Sequence, residues 1–205
     1  KELPKFDGFV VKALEAKTKS KLKTINGKKY LTGKSYSFIL TPIKAGTVKL
    51  PVVKGDIYLT TGRGFFQQTE PREITSNSFS LKVKPLPSAP KGTSNPILVG
   101  QFKLKTRLDK KELNVNDAVT IRLSINGSGN LNAINDLEIN FPSAFETLSP
   151  TVKNNVKTDL SGIHGSKTFE FVAIPRQPGT FTIPSIKISA FNPKQKKYYT
   201  LNSNP

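Results

Sequence analysis

The sequence contains no cysteine, no methionine and no tryptophan, and its one histidine is His164. Without cysteine, no disulfide can hold a small domain together and no thiol is available for catalysis. A lone histidine cannot build a histidine-rich metal site, because such a site takes about three or more protein ligands. Since no initiator methionine is present, we expect Lys1 to begin a processed or engineered fragment.

Long apolar runs and acidic residues are also scarce. No run approaches the roughly 18 residues of a membrane-spanning helix, so we expect any signal peptide or anchor to have been removed or to lie outside this piece. Lysine and arginine number 32 against 14 acidic residues, a formal net charge of +18. This charge suits a solvated, aggregation-resistant surface or an anionic partner. Nucleic acid is the least favoured partner, because stacking aromatics lie among basic residues only at 197–199.

A long internal repeat is the strongest feature that the sequence does have. The segment at 34–54, KSYSFILTPIKAGTVKLPVVK, aligns without a gap to KTFEFVAIPRQPGTFTIPSIK at 167–187, so the copies lie 167 − 34 = 133 positions apart. Seven pairs are identical: Lys34/Lys167, Phe38/Phe171, Pro42/Pro175, Gly46/Gly179, Thr47/Thr180, Pro51/Pro184 and Lys54/Lys187. A repeat of about domain length indicates two copies of one module.

The pattern inside the repeat predicts β-strands. Phe169 and Phe171 alternate with polar residues, as in a strand with one buried face. Proline and glycine then stop the strand, and Phe181 and Ile183 restart the alternation. Gly46 and Gly179 should occupy equivalent corners with positive φ.

Other segments also have the alternating pattern that predicts β-strands. Alternation predicts strands at 101–108 and 118–126, whereas the polar GSGN at 127–130 predicts a turn. No segment has a helical period over more than two turns. We therefore predict an all-β chain of two sandwiches, each with its own core.

The domain boundaries follow from the repeat and from composition. We predict a first sandwich at 1–87, a linker rich in Pro, Ser and Gly at 88–100, and a second sandwich at 101–205. Comparison of the copies predicts that the first lacks its N-terminal strands and the second its last strand. The missing pieces are cut away, disordered or supplied by a neighbouring chain.

Several longer motifs resemble one bacterial family. They are GSGNL (127–131), FPSAFETLSP (141–150), GIHGSKTFEFVAIPRQPGTFTIPSI (162–186) and AFNPKQKKYYTLNSNP (190–205), with INGKKY, YSFILTPIKAGTVKLP and SNSFSLKVKP in the first copy. In this order they resemble the oxygen-tolerance protein family BatD. The resemblance implies immunoglobulin-like domains on the periplasmic face of the cytoplasmic membrane, held by a membrane anchor outside this fragment.

The same resemblance implies a role in aerotolerance and stress resistance. It implies partners encoded in the same operon, namely von Willebrand A-domain proteins and a tetratricopeptide-repeat protein. It assigns no enzymatic activity, no catalytic residues, no metal and no cofactor. We therefore expect a non-enzymatic ectodomain that binds proteins, with an anionic ligand (polysaccharide, lipid head group or nucleic acid) as the alternative.

The candidate catalytic and metal-binding residues are few. His164 lies near Ser161 and Ser166, but neither serine has the G-x-S-x-G elbow of a nucleophile. The GSGN segment lacks the Lys-Ser/Thr of a phosphate loop. Asn114, Asn116 and Asp117 supply oxygen atoms at short spacing, yet calcium needs more carboxylates. We expect loop roles for all of these residues and no enzyme.

One segment is longer in the first copy than in the second, and we consider it a candidate contact site. The spacing from Lys54 to Ser76 is 22 positions, whereas that from Lys187 to Ser203 is 16. The extra residues surround Arg63 and the adjacent pair Phe65 and Phe66, and such residue types anchor protein interfaces. We predict partner contact by Arg63 and Phe66, with Phe65 turned to the opposite, buried face.

Overall fold

The computed structural model describes residues 4–14, 21–33, 36–62 and 64–203, and nearly all of its regular structure is β-strand. The strands are β1 (Phe9–Leu14), β2 (Lys21–Ile25), β3 (Lys28–Thr32), β4 (Ser37–Pro42), β5 (Gly46–Leu50), β6 (Lys54–Thr61), β7 (Gln68–Thr75), β8 (Phe79–Val83), β9 (Leu98–Leu108), β10 (Val119–Gly129), β11 (Phe145–Thr147), β12 (Thr151–Asp159), β13 (Gly162–Pro175), β14 (Lys187–Asn192) and β15 (Lys197–Asn202). Within the described ranges, the helical elements are two 3-10 turns, Gly64–Phe66 and Leu131–Ala133. The all-β prediction is confirmed.

The chain divides into two compact units. One contains Lys1–Ala13 and Leu40–Pro87, and the other contains Leu14–Ile39 and Ser88–Pro205. The boundaries inferred from the sequence stay a prediction. Within 88–100, the backbone N–H groups of Ser94 and Ser189 donate to each other's hydroxyl oxygens at 2.7 and 2.8 Å. Leu98 is fully buried in β9, so the C-terminal half of this segment packs as part of the second unit.

The first repeat copy consists of separate two-stranded sheets. β5 pairs with β8 and β6 pairs with β7, both antiparallel, and β1 pairs with β4. Among the described residues before Ser88, no side chain is buried. The expectation of a separate core in this copy is therefore wrong for the described residues, because isolated strand pairs have no second layer to cover their apolar faces.

The second copy does enclose a core. Its strands form one sheet in the order β11-β13-β10-β9-β14-β15, with β12 also paired to β13. β9 is antiparallel to β10 and makes a short parallel pairing with β14. Ile188 of β14 and Leu201 of β15 share one cluster of buried residues with Leu123 of β10 and Phe169 of β13. Both ends of the sheet thus contribute to one core, as in a β-sandwich.

The GSGN segment is not a turn, contrary to the prediction. It continues β10, where Gly127 lies opposite Phe102 and Gly129 opposite Gly100. A Cβ on Gly127 would lie 2.0 Å from the carbonyl oxygen of Gln101, so only glycine permits this approach to β9. Asn130 then accepts a hydrogen bond from the Val99 N–H at 2.5 Å. The glycines therefore serve close strand pairing.

The strand predicted around Phe181 and Ile183 is also absent from the described structure, in which residues 176–186 form no regular element. Both side chains are half-buried, so alternation there marks a buried face without a paired strand. The corner prediction is confirmed, since Gly46 has φ 135° and Gly179 has φ 151°. Equivalent corners therefore follow β4 and β13.

Candidate functional site

The loop between β6 and β7 presents two aromatic rings. The antiparallel register of the hairpin ends at Thr61 opposite Gln68. The 3-10 turn Gly64–Phe66 follows, closed by a hydrogen bond from the Gln67 N–H to the Gly64 carbonyl at 3.3 Å. Phe65 is 107% exposed and Phe66 is 86% exposed. We call this pair of rings the aromatic tip.

The tip differs from the prediction in one respect. Phe65 was expected to turn inward by strand alternation, but it is the more exposed of the two rings, so that expectation is wrong. The reason is local, because a 3-10 turn does not send successive side chains to opposite faces as a strand does. Arg63, the other predicted contact residue, lies outside the described residues.

The hairpin strands β6 and β7, which carry the aromatic tip, are exposed to solvent as well. Lys54 and Glu73 form an ion pair of 3.1 Å across it, and the hydroxyls of Thr60 and Thr69 are 3.1 Å apart. Tyr58, at mid-strand, is 70% exposed. Apart from Gly55, the residues of both strands are exposed. The structure therefore leaves apolar side chains along this ribbon partly or largely exposed to solvent.

A second candidate surface is the outer face of the sheet in the second copy. Side chains alternate along β9, so Lys103 and Lys105 point away from the buried Phe102. The strand registers align the outward positions of β9, β10, β13 and β12 in rows. Six basic side chains and one carboxylate occupy this cationic face: Lys103, Lys105, Arg107, Arg122, Lys153, Lys157 and Glu170.

Hydrogen bonds tie the centre of the cationic face together. Glu170 accepts from Arg122 at 2.8 Å and from Lys153 at 3.1 Å. The pKa of the Glu170 carboxyl is lowered, first by the Arg122 hydrogen bond and then by that of Lys153. Ser124 and Thr168 lie 2.8 Å apart in the next row. The single carboxylate is thus ionised at neutral pH and the rest of the face stays basic.

His164 lies near a serine and an aspartate, but their geometry is that of a turn. The Ser161 hydroxyl donates to Asp159 at 2.5 Å, whereas its distance to His164 Nδ1 is 3.5 Å. A nucleophilic serine would instead donate to the histidine at about 2.6–3.2 Å. Hydrogen bonds from the Ser161 hydroxyl and then from its backbone N–H lower the pKa of Asp159. The cluster closes the loop between β12 and β13.

In the segment from Asn114 to Asp117, side-chain oxygen atoms already accept hydrogen bonds from other protein groups. Asp117 Oδ2 accepts hydrogen bonds from the backbone and side chain of Asn114, at 3.1 and 3.2 Å. Asn116 Oδ1 accepts from the Arg176 guanidinium at 2.6 Å, and this cation disfavours a metal ion at the same oxygen. No group of metal-ligating side chains occurs among the described residues.

Sequence reasoning missed two polar residues of the second copy, the buried Lys167 and the half-buried Tyr199. Lys167 is 5% exposed; its ammonium donates to the Ile134 carbonyl at 2.5 Å, and burial lowers its pKa. The Tyr199 hydroxyl accepts from the Phe102 N–H at 2.9 Å and donates to the Gly100 carbonyl at 3.1 Å. Burial raises the pKa of Tyr199. Their partners are 32 or more positions away in sequence, so only the alternation of Lys167 with Phe169 hinted at burial.

The second copy is thus a β-sandwich module in which polar side chains at the core make hydrogen bonds to backbone groups. Residues 106–205 match the model of the BatD DUF11-like domain. This segment therefore belongs to the BatD family, which confirms the resemblance for the second copy. The resemblance of the first copy stays a prediction. No curated protein and no solved structure matches the chain.

The family match supports two general statements. The BatD DUF11-like domain is not a known enzymatic family, and BatD proteins are associated with the cell envelope. Among the described residues, no helix has both the length and the apolar character needed to cross a bilayer.

Proposed function

We propose that this chain is a non-enzymatic docking ectodomain of a membrane-anchored BatD-like protein. It acts at the periplasmic face of the cytoplasmic membrane, within an envelope complex for aerotolerance and stress resistance. Its partners are the von Willebrand A-domain and tetratricopeptide-repeat proteins of the same operon. The family match of residues 106–205 supports the family context.

The observation that carries the docking role is the aromatic tip. Two adjacent rings at 107% and 86% exposure leave apolar surface in water that a partner pocket would bury. Aromatic and arginine side chains are enriched among the residues that dominate binding energy. Arg63 precedes Phe65 by two positions, so the sequence holds both residue types within four consecutive positions.

Direct binding tests this role. The purified A-domain protein of the operon is titrated with the 205-residue chain and with Phe66→Ala. Loss of an anchor worth about 2 kcal/mol should weaken affinity roughly 30-fold. Thermal stability should stay within about 0.5 kcal/mol of the parent, since the ring is 86% exposed. Leu160→Ala is the matched control, because Leu160 is an apolar residue at another hairpin turn and is 70% exposed. Equal affinity of Phe66→Ala and Leu160→Ala for the A-domain protein would contradict the assignment.

The cationic face favours a second candidate, the binding of an anionic ligand. Lys103, Lys105 and Arg107 line one edge of the face, and Lys153 and Lys157 line the other. Each lysine near an anionic bilayer contributes about 1 kcal/mol, so Lys105→Ala should weaken binding to anionic phospholipid vesicles about fivefold. Raised salt should also weaken it. Phe66→Ala should leave vesicle binding unchanged, which separates the two candidates.

A further inference from the structure

One segment that is equivalent in the two repeat copies forms a paired strand in the first copy, residues 46–50, but not in the second, residues 179–183. In the first copy, Val48 and Leu50 of β5 are half-buried and the other residues of β5 are exposed. The aligned residues 179–183 have the same order of exposure, with Phe181 and Ile183 half-buried. Phe181 packs edge-on against Phe145 at 5.3 Å between ring centroids, and Ile183 packs against the core. The side chains of this segment are therefore already placed as those of a strand.

The backbones of the two segments differ in their hydrogen bonds. β5 pairs with β8 in a five-residue antiparallel register from Gly46↔Val83 to Leu50↔Phe79. Among the described residues, 179–183 have no strand partner and make no backbone–backbone hydrogen bond. Unpaired strand-like backbone is a template for pairing with another strand. We call residues 179–183 the open edge.

The route of the chain toward the open edge is also repeated. In the first copy, the Ser76 N–H donates to the Val53 carbonyl at 2.8 Å, and the Val53 N–H donates to the Ser76 hydroxyl at 2.9 Å. β8 begins three residues after Ser76. Ser203 makes the same two hydrogen bonds with Ile186, at 2.9 and 2.7 Å. The polypeptide thus passes Ser203 in the position from which β8 starts in the other copy.

We propose that the open edge accepts a β-strand of the β8 type, carried on the same polypeptide and starting about three residues after Ser203. In the β5–β8 register, Phe79 faces Leu50 and Leu81 faces Val48. The strand at the open edge therefore has apolar side chains at alternate positions, opposite Ile183 and Phe181. It runs antiparallel to the open edge and completes the second sandwich. This inference is independent of the docking role.

Extended versions of the chain test the proposal. One version adds Phe-Ser-Leu-Lys-Val, the sequence of β8, after residue 205. A matched control adds Phe-Pro-Leu-Pro-Val, whose prolines cannot donate to a ladder. Amide hydrogen exchange is measured at residues 179–183, together with the melting temperature. Pairing should slow exchange at alternate amides by tenfold or more and raise the melting temperature, in the β8 extension only.

Three results would overturn the proposal. The first is unchanged exchange at the open edge in the β8 extension. The second is equal protection by the proline control, which would indicate a nonspecific effect of added length. The third is strong protection already present in the 205-residue chain, which would mean that another edge covers these residues.

Discussion

The backbone N–H of Ser203 donates to the carbonyl of Ile186 at 2.9 Å, and the Ile186 N–H donates to the Ser203 hydroxyl at 2.7 Å. Ser203 is 6% exposed, so water has little access to this site. The Ser203 hydroxyl therefore supplies the hydrogen-bond acceptor that the half-buried Ile186 N–H would otherwise find in water. Ser203→Ala should therefore lower the free energy of unfolding by about 1 kcal/mol. Ser76→Ala removes the equivalent hydroxyl where it is exposed and should change stability by less than about 0.5 kcal/mol. Urea denaturation of the two variants checks this, and equal losses would refute the role of burial.

Tyr199 supports β9 at the point where its glycine-lined pairing begins. Its hydroxyl satisfies the Phe102 N–H and the Gly100 carbonyl, at 2.9 and 3.1 Å. Tyr199→Phe leaves both groups unpaired and should cost about 1–3 kcal/mol in the free energy of unfolding. Tyr58→Phe, at a residue 70% exposed, is the matched control and should have no measurable effect. A stable Tyr199→Phe protein in chemical denaturation would show that water replaces the hydroxyl.

Two glycines with unusual backbone angles should respond differently to substitution. A Cβ at Gly127 would lie 2.0 Å from a backbone oxygen, whereas at Gly179 the nearest atom is the end of the Phe181 ring at 3.2 Å. The ring can move and the backbone cannot. Gly127→Ala should therefore cost on the order of 3 kcal/mol or more, and Gly179→Val about 1–3 kcal/mol through local strain. Melting temperatures in the reverse order would contradict the close approach of β9 and β10.

Because Lys167 is buried, the free energy of unfolding should depend on pH in the alkaline range. Burial lowers its pKa below the ordinary 10.5 in the folded protein, so the unfolded chain binds more protons between these two pKa values. The free energy of unfolding should therefore rise as pH increases through this window toward 10.5, and the gain should be lost as pH falls through the folded-state pKa.

Lys167→Met removes this titration while keeping the length of the side chain. Denaturation of both proteins from neutral pH to about 10.5 should show the parent gaining stability relative to the variant. A constant difference across this range would mean that the pKa of Lys167 is the same in the folded and unfolded states.

Local alternation was enough to predict the long strands of the second copy. Burial has a period of two from Val119 to Ile125 in β10 and from Lys167 to Pro175 in β13, because one face of each strand packs on the core. Pairing was harder to predict. Residues 179–183 alternate as β5 does, but a strand also needs a partner, and no local pattern reports one.

The errors at glycine and at the aromatic tip have a similar cause. Gly127 and Gly129 look like turn residues, but here glycine permits two backbones to approach, and that depends on β9 opposite them. Phe65 and Phe66 lie within the 3-10 turn Gly64–Phe66, to which strand alternation does not apply. The Tyr199 hydrogen bond to Phe102 spans 97 positions, so it becomes visible only in the folded chain.

Photo-crosslinking tests the docking role most directly. A benzophenone-bearing phenylalanine replaces Phe66 in one version of the chain and Leu160 in another, and each is irradiated with the purified A-domain protein. Both positions are largely exposed, at 86% and 70%, so the probe does not disturb the fold. We predict a crosslinked complex from position 66 and none from position 160. A complex that forms yet crosslinks only from position 160, or from neither position, would contradict docking through the aromatic tip.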